Sequence, residues 1–305
     1  MNVQVPFAPL EAETDFAIDQ DWAGYSADDH SVWSKLYRRQ CALLAPRGCD
    51  ALLKGLGALD LNSGGIPDFA AINPRLESLT GWRVIAVPGL IPDAAFFDLL
   101  AHRRFPAARF IRDPRALDYL SEPDIFHDVF GHVPMLTDPV FADYMQAYGE
   151  GGLRALNLDH LHHLARLYWY TVEFGLMRTP SGLKIYGAGI ASSAAETVFA
   201  LDDPSPNRLA FDMLRVMRTR YRIDDFQQSY FVIPSLEALL EATLQDFAPV
   251  YAALETAPDL AAEAVVPGDE VLTLGTQAYA KARQGASPPP LGEGDPEGVE
   301  GADTP

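Results

Sequence analysis

The segment PDIFHDVFGH, residues 123–132, decides how the rest of this chain is interpreted. It contains two histidines, His127 and His132, that lie five positions apart, and Gly131 directly precedes the second. On a regular α-helix, side chains five positions apart point about 140° away from each other, so an unbroken helix would separate the two rings. Gly131 can adopt a positive φ. We therefore expect a helix to end at Gly131 and His132 to turn back toward His127.

The start of this helix also has a sequence signal. Ser121 and Asp124 have the spacing of a capping box, and Pro123 fits the first turn of a helix. The zinc-protease motif HExxH requires a four-residue spacing and a glutamate after the first histidine. This chain has a five-residue spacing and Asp128 in that place. The segment is therefore not a zinc-protease helix.

A candidate third ligand, Glu173, lies in a segment that we predict to be one long helix from Asp159 to Arg178. Its helical neighbours three and four positions away include no basic residue; they are Trp169, Tyr170, Leu176 and Met177. A carboxylate buried without a partner costs several kcal/mol. Glu173 is therefore protonated, exposed, or paired with a cation outside its own helix, and a metal ion is a good candidate for that cation.

Two imidazoles and one carboxylate form the facial triad of non-haem Fe(II) oxygenases, which leaves coordination positions open. Hydrolytic zinc enzymes also use two histidines and a glutamate, so a zinc hydrolase remains possible. A third possibility is a structural metal site in an interaction protein. The residue pattern alone leaves these alternatives open.

Composition limits the partners and the compartment. The chain has 305 residues, 48% of them hydrophobic, and a net charge of −19, which argues against nucleic acid and anionic membranes as partners. Cys41 and Cys49 are the only cysteines, which fits a reducing cytoplasm. Neither a signal peptide nor a run of 18 apolar residues is visible. We therefore expect a cytoplasmic protein without a membrane segment.

The pattern predicts a mostly α fold, that is, α+β with a few short strands. We divide the chain into an acidic arm (1–20), one catalytic domain (21–285) and a disordered acidic tail rich in Pro and Gly (286–305). Apart from the segments already discussed, we predict helices at 26–56, from 66 onward, from 91 onward, at 139–150, after 207 and at 235–254, and strands at 82–87, 109–112 and 226–233.

Several segments match a known family in the same order along the chain. They are residues 66–69, 80–84, 110–112, 122–134, 168–176 and 186–193. Through them the chain resembles the pterin-dependent aromatic amino acid hydroxylases, most closely the short bacterial members. The resemblance implies a single hydroxylase catalytic domain around a mononuclear iron, with His127, His132 and Glu173 as the catalytic metal ligands.

The resemblance also implies a substrate site. Arg112 would bind the substrate carboxylate through its bidentate guanidinium. Ser192 would help to bind that carboxylate and would hydrogen-bond the first histidine. Trp169 would form a wall of the ring pocket. Asp124 and Val232 would complete the substrate-binding set.

The cofactor site is implied in the same way. Phe96 would stack on the pterin, and the loop Gly89, Leu90 and Ile91 would meet its edge. Tyr168 would lie near the iron and the pterin. Asp128 stands where the family usually has Glu, so its contact with the pterin is predicted to be longer.

The implied reaction converts L-phenylalanine to L-tyrosine with O₂, Fe(II) and tetrahydrobiopterin, as the first step of phenylalanine catabolism. Trp169 favours phenylalanine over tryptophan, and Val232 offers no hydrogen bond to a tyrosine hydroxyl. Hydroxylation of tryptophan, or of phenylalanine at the meta position, remains an alternative. Pterin-4a-carbinolamine dehydratase is the expected functional partner. A monomer is expected, because neither the regulatory domain nor the tetramerisation helix of the animal enzymes is present.

Overall fold

The computed structural model describes residues 16–284, except 62–63, 119–121, 157 and 159. About 52% of the described residues are helical and 13% are in strands, which confirms the mostly α prediction. In the described part, the helices are α1 (Ala27–Leu44), α2 (Asp50–Leu59), α3 (Phe69–Thr80), α4 (Asp93–Ala101), α5 (Pro139–Ala155), α6 (Leu161–Tyr168), α7 (Ala188–Ser192), α8 (Ala194–Asp202), α9 (Met213–Met217), α10 (Leu236–Leu244), α11 (Ala248–Thr256) and α12 (Ala278–Gln284).

Two π-helical segments, Phe126–His132 and Trp169–Glu173, interrupt this helical framework. Short 3₁₀ turns occur at Trp22–Gly24 and Met135–Thr137. The strands are β1 (Arg83–Val87), β2 (Arg104–Ala108), β3 (Leu176–Thr179), β4 (Gly182–Ile185), β5 (Asn207–Ala210), β6 (Ser229–Ile233) and β7 (Val271–Thr273).

The strands form two small sheets. Strands β1 and β2 pair in parallel, and the other five follow the order β4-β3-β6-β5-β7. Strand β3 begins three residues after Glu173 and pairs with β4, which leads into α7. The sheet therefore holds the carboxylate-bearing segment close to the helix that carries Ser192.

Several helix boundaries follow local capping signals. Ser26 and Asp29 form a capping box at the start of α1, and Asp68 caps α3. The predicted helix from Ser26 to Leu56 is wrong as one element, because it ends at Leu44 and restarts at Asp50. The intervening residues include Pro46, and the backbone N–H of Cys49 donates to Ile185 instead of continuing the helix.

Four further elements differ from the prediction. The strand predicted at 109–112 lies at Arg104–Ala108, where it pairs with β1, and the segment predicted as helix after 207 begins with strand β5. The helix predicted at 235–254 is divided into α10 and α11. The helix predicted from Asp159 to Arg178 ends as an α-helix at Tyr168, becomes π-helical to Glu173 and continues as β3.

The last residues of the predicted N-terminal arm contact the domain. The N–H of Ile18 donates to Ala86 in β1, and the side chain of Gln20 bonds Pro67 and the N–H of Phe69. Residues 1–15, the predicted tail at 286–305 and the predicted capping residue Ser121 lie outside the described residues.

A large apolar core surrounds the segments that carry the candidate ligands. Both π-helical segments are almost entirely buried. In the first of them, the rings of Phe126 and Phe130 stack with 4.7 Å between their centroids. Among the helices that the structure describes, none combines the length and the apolar character that crossing a membrane requires.

Candidate active site

The two histidines meet because their segment is π-helical. His127 and His132 lie in Phe126–His132, and their Nε2 atoms are 3.3 Å apart. A π-helix makes i to i+5 hydrogen bonds, so residues five positions apart return to the same side of the helix. The prediction that Gly131 ends a helix with a positive φ is wrong, since Gly131 lies inside this segment and is not among the glycines with positive φ.

Glu173 completes the cluster from the end of the second π-helical segment. Its Oε1 is 3.1 Å from Nε2 of His132, and its Oε2 is 3.5 Å from Nε2 of His127. The three donor atoms all lie within 4.8 Å of one another. Glu173 and His132 are buried, and His127 is partly buried. Three residues from two separate segments of the chain therefore converge on one point.

Electrostatics within the cluster favours a charged carboxylate. Burial alone would raise the pKa of Glu173, but the attraction of His132 and His127 outweighs burial and holds this pKa well below its usual value. Burial likewise opposes charge on His127, but the attraction of Glu173 raises its pKa. The Glu173 carboxylate is therefore held in its charged form beside the two imidazoles.

Ser192 decides which nitrogen of His127 faces Glu173. The Ser192 hydroxyl donates its one hydrogen to the carbonyl of Ala188 at 2.9 Å, so its oxygen can only accept from Nδ1–H of His127, also at 2.9 Å. This hydrogen bond fixes the tautomer in which Nε2 carries a free lone pair. The imidazole is thus prepared to bind a metal ion through Nε2.

The donor set fits a divalent metal ion of the iron type. Two neutral imidazole nitrogens and one carboxylate suit Fe(II), and three ligands leave coordination positions open. The cluster is the only group of three or more potential metal ligands in the part of the chain that the structure describes. The residues present therefore match the ion that the sequence predicted.

Arg112 reaches the site through its ion pair with Asp124. Its Nε and Nη2 donate to the two carboxylate oxygens at 2.8 Å, and both side chains are buried. Asp124 also accepts from the backbone N–H of His127 at 3.0 Å. Asp124 was predicted to bind substrate, but it is not among the residues that line the cavity. It instead connects Arg112 to the start of the first π-helical segment.

A cavity of about 480 Å³ opens directly beside the cluster. His127 and Glu173 line it, together with three of the predicted substrate residues, which are Arg112, Trp169 and Ser192. This volume is within the range of small-molecule sites. Val232 does not line the cavity: it lies in strand β6, where it pairs with Leu176 and Ala210. The structure therefore does not place Val232 at the wall of the cavity, where the substrate ring was predicted to bind.

A narrow cleft next to this cavity contains most of the predicted pterin residues. Its lining includes Phe96, Asp128 and the loop residues Gly89, Leu90 and Ile91. Leu90 lines both spaces. The space enclosed by this cleft, about 30 Å³, is much smaller than that of the neighbouring cavity.

Asp128 and Tyr168 have specific surroundings at this cleft. Asp128 accepts from the N–H of Ala108 at 2.7 Å, and burial raises its pKa to about 6 against the attraction of His127. Tyr168 lines neither space; its ring lies 5.8 Å from that of Phe96 and 6.3 Å from that of His132. Tyr168 therefore lies near both Phe96, the residue predicted to stack on the pterin, and the metal ligand His132.

Sequence reasoning missed many of the residues that line the cavity, among them Phe174, Glu196 and Gln227. Phe174 follows Glu173 directly, so its position next to a proposed ligand could have identified it. Glu196 and Gln227 had no such signal, because their partners are remote in sequence.

Fold and site together define a class: a mostly α domain with a mononuclear metal site of two histidines and one carboxylate beside a small-molecule cavity. Comparison with known proteins identifies the family. Residues 19–254 match the biopterin-dependent aromatic amino acid hydroxylase family. The chain belongs to this family.

Individual relatives are similar over most of their length. A phenylalanine-4-hydroxylase of Caulobacter vibrioides is 66% identical over 274 residues, which cover 90% of this chain and 93% of that protein. A cobalt-bound phenylalanine hydroxylase from Chromobacterium violaceum is 55% identical, with a TM-score of 0.83 over 85% of this chain and 94% of that one. An iron- and phenylalanine-bound structure of the same enzyme is 53% identical, with a TM-score of 0.81 over the same shares.

Proposed function

We propose that this protein is a phenylalanine 4-hydroxylase, which converts L-phenylalanine to L-tyrosine with O₂ and a tetrahydropterin at Fe(II). The observation that carries the proposal is the convergence of His127, His132 and Glu173 beside the 480 Å³ cavity. The similarity to an iron- and phenylalanine-bound relative supports the substrate. The reaction is the first step of phenylalanine catabolism.

Arg112 binds the carboxylate of the substrate. Three of its N–H groups are already bonded, to the two oxygens of Asp124 and to the carbonyl of Leu117. One N–H remains on each of Nη1 and Nη2, which is the pair that a carboxylate accepts side by side. The partner Asp124 holds this fork still, so little side-chain entropy is lost on binding.

The aromatic ring of the substrate lies against Trp169 in the cavity. The indole excludes water from one side of the ring and limits how large a ring the cavity accepts. Ser192 holds His127 in the tautomer that binds the metal. When bound, Fe(II) and the tetrahydropterin would supply the electrons that activate O₂, and O₂ itself would supply the oxygen atom that enters the ring.

Three further features belong to the same proposal. A reaction that leaves a hydroxylated pterin requires a dehydratase to regenerate it, so pterin-4a-carbinolamine dehydratase is the functional partner. Cys41 and Cys49 are free thiols, which suits a cytoplasmic protein. We propose that the protein acts as a monomer.

Product analysis tests the proposal. The purified protein is supplied with Fe(II), tetrahydrobiopterin and O₂, and with L-phenylalanine, L-tyrosine or L-tryptophan in turn. The expected main product is para-tyrosine from L-phenylalanine, identified by chromatography and mass spectrometry. Meta-tyrosine or 5-hydroxytryptophan as the main product would contradict the proposed substrate, and an absence of any hydroxylated product would contradict the proposed activity.

Histidine variants provide a matched control. His132→Asn removes a metal ligand and is expected to abolish the product. His162→Asn changes an exposed histidine of α6 and is expected to leave the product unchanged. Equal loss in both variants would mean that the cluster is not the site of the reaction.

A further inference from the structure

The ring of Trp169 packs against two aromatic side chains. It stacks on the ring of Tyr221, with 4.4 Å between the ring centroids and an interplanar angle of 17°. Its centroid lies 4.8 Å from that of the Phe174 ring, with an interplanar angle of 32°. Stacking defines the plane of an aromatic ring but depends weakly on rotation within that plane. The two neighbours therefore leave the in-plane orientation of the indole undetermined.

One directional bond supplies the missing constraint. The indole Nε1–H of Trp169 donates to Oε1 of Gln227 at 3.0 Å. Gln227 is only 2% exposed and lines the same cavity. An indole N–H is a donor only, so the bond depends on an acceptor at this position.

The orientation of the Gln227 amide is itself determined by its surroundings. Nε2 donates to the carbonyl of Arg222 at 2.7 Å and lies 3.5 Å from the carbonyl of Asp225. Carbonyl oxygens only accept hydrogen bonds. If the amide were flipped, Oε1 would face these two carbonyl oxygens, and the Nε2–H₂ group would face the indole N–H, so no hydrogen bond could form at either end. Oε1 is therefore fixed toward Trp169.

The backbone of Gln227 is held as well. Its N–H is 3.4 Å from Oε1 of Glu196, and the Tyr230 hydroxyl bonds the same carboxyl. Glu196 is 5% exposed, and Tyr230 is fully buried. A continuous set of buried contacts thus runs from Glu196 through Gln227 to the wall of the cavity.

We propose that Gln227 is a positioning residue that fixes the in-plane orientation of Trp169 and thereby sets the selectivity of the cavity for a phenyl ring over an indole ring. This inference rests on the proposed function. Gln227 acts through Trp169 and does not itself contact the reacting atoms.

Gln227→Met tests the inference, because methionine has a similar length and offers no strong acceptor. We expect the ratio of kcat/KM for L-phenylalanine to that for L-tryptophan to fall about threefold to tenfold, the range for one net hydrogen bond. The fall is expected mainly from a higher KM for L-phenylalanine, with kcat little changed. In Gln227→Asn the shorter amide cannot reach the indole, so the same fall in the ratio is expected. This variant replaces Gln227→Met if Gln227→Met does not fold.

Two further variants separate positioning from structural support. Gln228→Met changes the adjacent buried glutamine, which does not line the cavity, and is expected to keep the ratio within about twofold. Gln227→Glu keeps an oxygen acceptor for the indole, and its protonated carboxyl can still donate to the Arg222 carbonyl, so the ratio is expected to be kept at low pH and to fall as the carboxyl ionises against the carbonyls of Arg222 and Asp225. Thermal unfolding of each variant verifies that the compared proteins are folded.

A double-mutant cycle with Trp169→Phe completes the test. That substitution removes the indole donor. In a protein that already carries Trp169→Phe, adding Gln227→Met should therefore leave the ratio of the two kcat/KM values unchanged. An unchanged ratio in folded Gln227→Met, an equal fall in Gln228→Met, or a full effect in the Trp169→Phe background would overturn the inference. An absence of tyrosine from the wild-type protein would instead overturn the proposed function.

Discussion

Arg112 has five N–H groups, and the protein itself already uses three of them. The ion pair with Asp124 is buried, so neither group can be removed without leaving the other charge uncompensated. Asp124 also bonds the N–H of His127. One buried carboxylate therefore fixes both the Arg112 guanidinium and the start of the segment that carries the metal ligands.

We expect Arg112→Lys to raise the KM for L-phenylalanine about tenfold to a hundredfold, because an ammonium cannot bond Asp124 and the substrate in the same fork geometry. Steady-state kinetics measures the effect. Arg115→Lys is the control, since Arg115 lies in the same part of the chain and its side chain is 88% exposed. An unchanged KM in Arg112→Lys would contradict the proposed role.

Glu196 makes a pH-dependent contribution to stability. Burial raises its pKa from the usual 4.5 to about 7, against the hydrogen bonds from Tyr230 and the N–H of Gln227. Between these two pKa values the folded protein keeps a proton that the unfolded chain has released. Stability from this group therefore falls as pH rises from about 4.5 to about 7 and is constant above that.

Glu196→Gln should remove this dependence, because glutamine keeps an oxygen acceptor for Tyr230 and does not ionise. Between about pH 5.5 and pH 8, we expect the free energy of unfolding of the variant to gain about 2 kcal/mol relative to wild type. Urea unfolding at both pH values measures the difference. Glu241→Gln, on an exposed face of α10, controls for the loss of one negative charge. A difference that does not depend on pH would contradict the assignment to Glu196.

At the scale of elements, the two π-helical segments supply all three candidate metal ligands. π-Helical turns are rare and occur frequently at functional sites. The first segment packs against α7 so closely that a side chain has no room at Gly131. A Cβ there would lie 2.9 Å from the Ala188 carbonyl oxygen and 3.1 Å from the Ala188 Cβ. The glycine is required for this approach and not for a positive φ.

Gly131→Ala is therefore expected to push the first π-helical segment and α7 apart. We expect a loss of about 1–3 kcal/mol in the free energy of unfolding, which is typical of overpacking. Binding of Co(II) should also weaken, because Ser192 on α7 would move away from His127. Urea unfolding and a Co(II) titration measure the two effects.

Gly57→Ala is the matched control for this substitution. Gly57 is an exposed residue of α2, and a Cβ there would meet nothing within 4 Å. Alanine at this position is expected to be neutral, or to stabilise the helix by about 0.5–1 kcal/mol. If Gly131→Ala were as stable as wild type, the close approach would not limit the packing of the two elements.

On the scale of the whole molecule, the metal site connects segments that are far apart in the chain. The ligands come from both π-helical segments, and Ser192 supports them from α7. A metal ion that binds only the folded state stabilises the protein by mass action. Metal binding should therefore stabilise the domain as a unit.

We expect Co(II) or anaerobic Fe(II), at a free concentration of about 100 times Kd, to raise the free energy of unfolding by about 2.7 kcal/mol. This corresponds to an increase in Tm of about 5–10 °C for a domain of this size. Calorimetry with and without a chelator measures the increase. His132→Asn should show little increase, and an equal increase in that variant would place the binding site elsewhere.

Local signals predicted much of the secondary structure. The cap at Ser26, the cap at Asp68 and strand β1 could be predicted because each depends on residues close in sequence. The break in the helix after Leu44 and the strand at Arg104–Ala108 depend on pairing with β4 and β1. Those partners are remote in the chain, so propensity alone favoured longer helices and a different strand.

The sequence by itself determined the set of chemical groups: two histidines and a glutamate suited to iron, an arginine suited to a carboxylate, and the family to which the chain belongs. Only the tertiary structure decided how these groups are oriented. Ser192 bonds His127 across 65 positions, and Gln227 bonds Trp169 across 58. Hydrogen bonds over such separations depend on how whole elements pack, because no local preference of the chain brings the partners together.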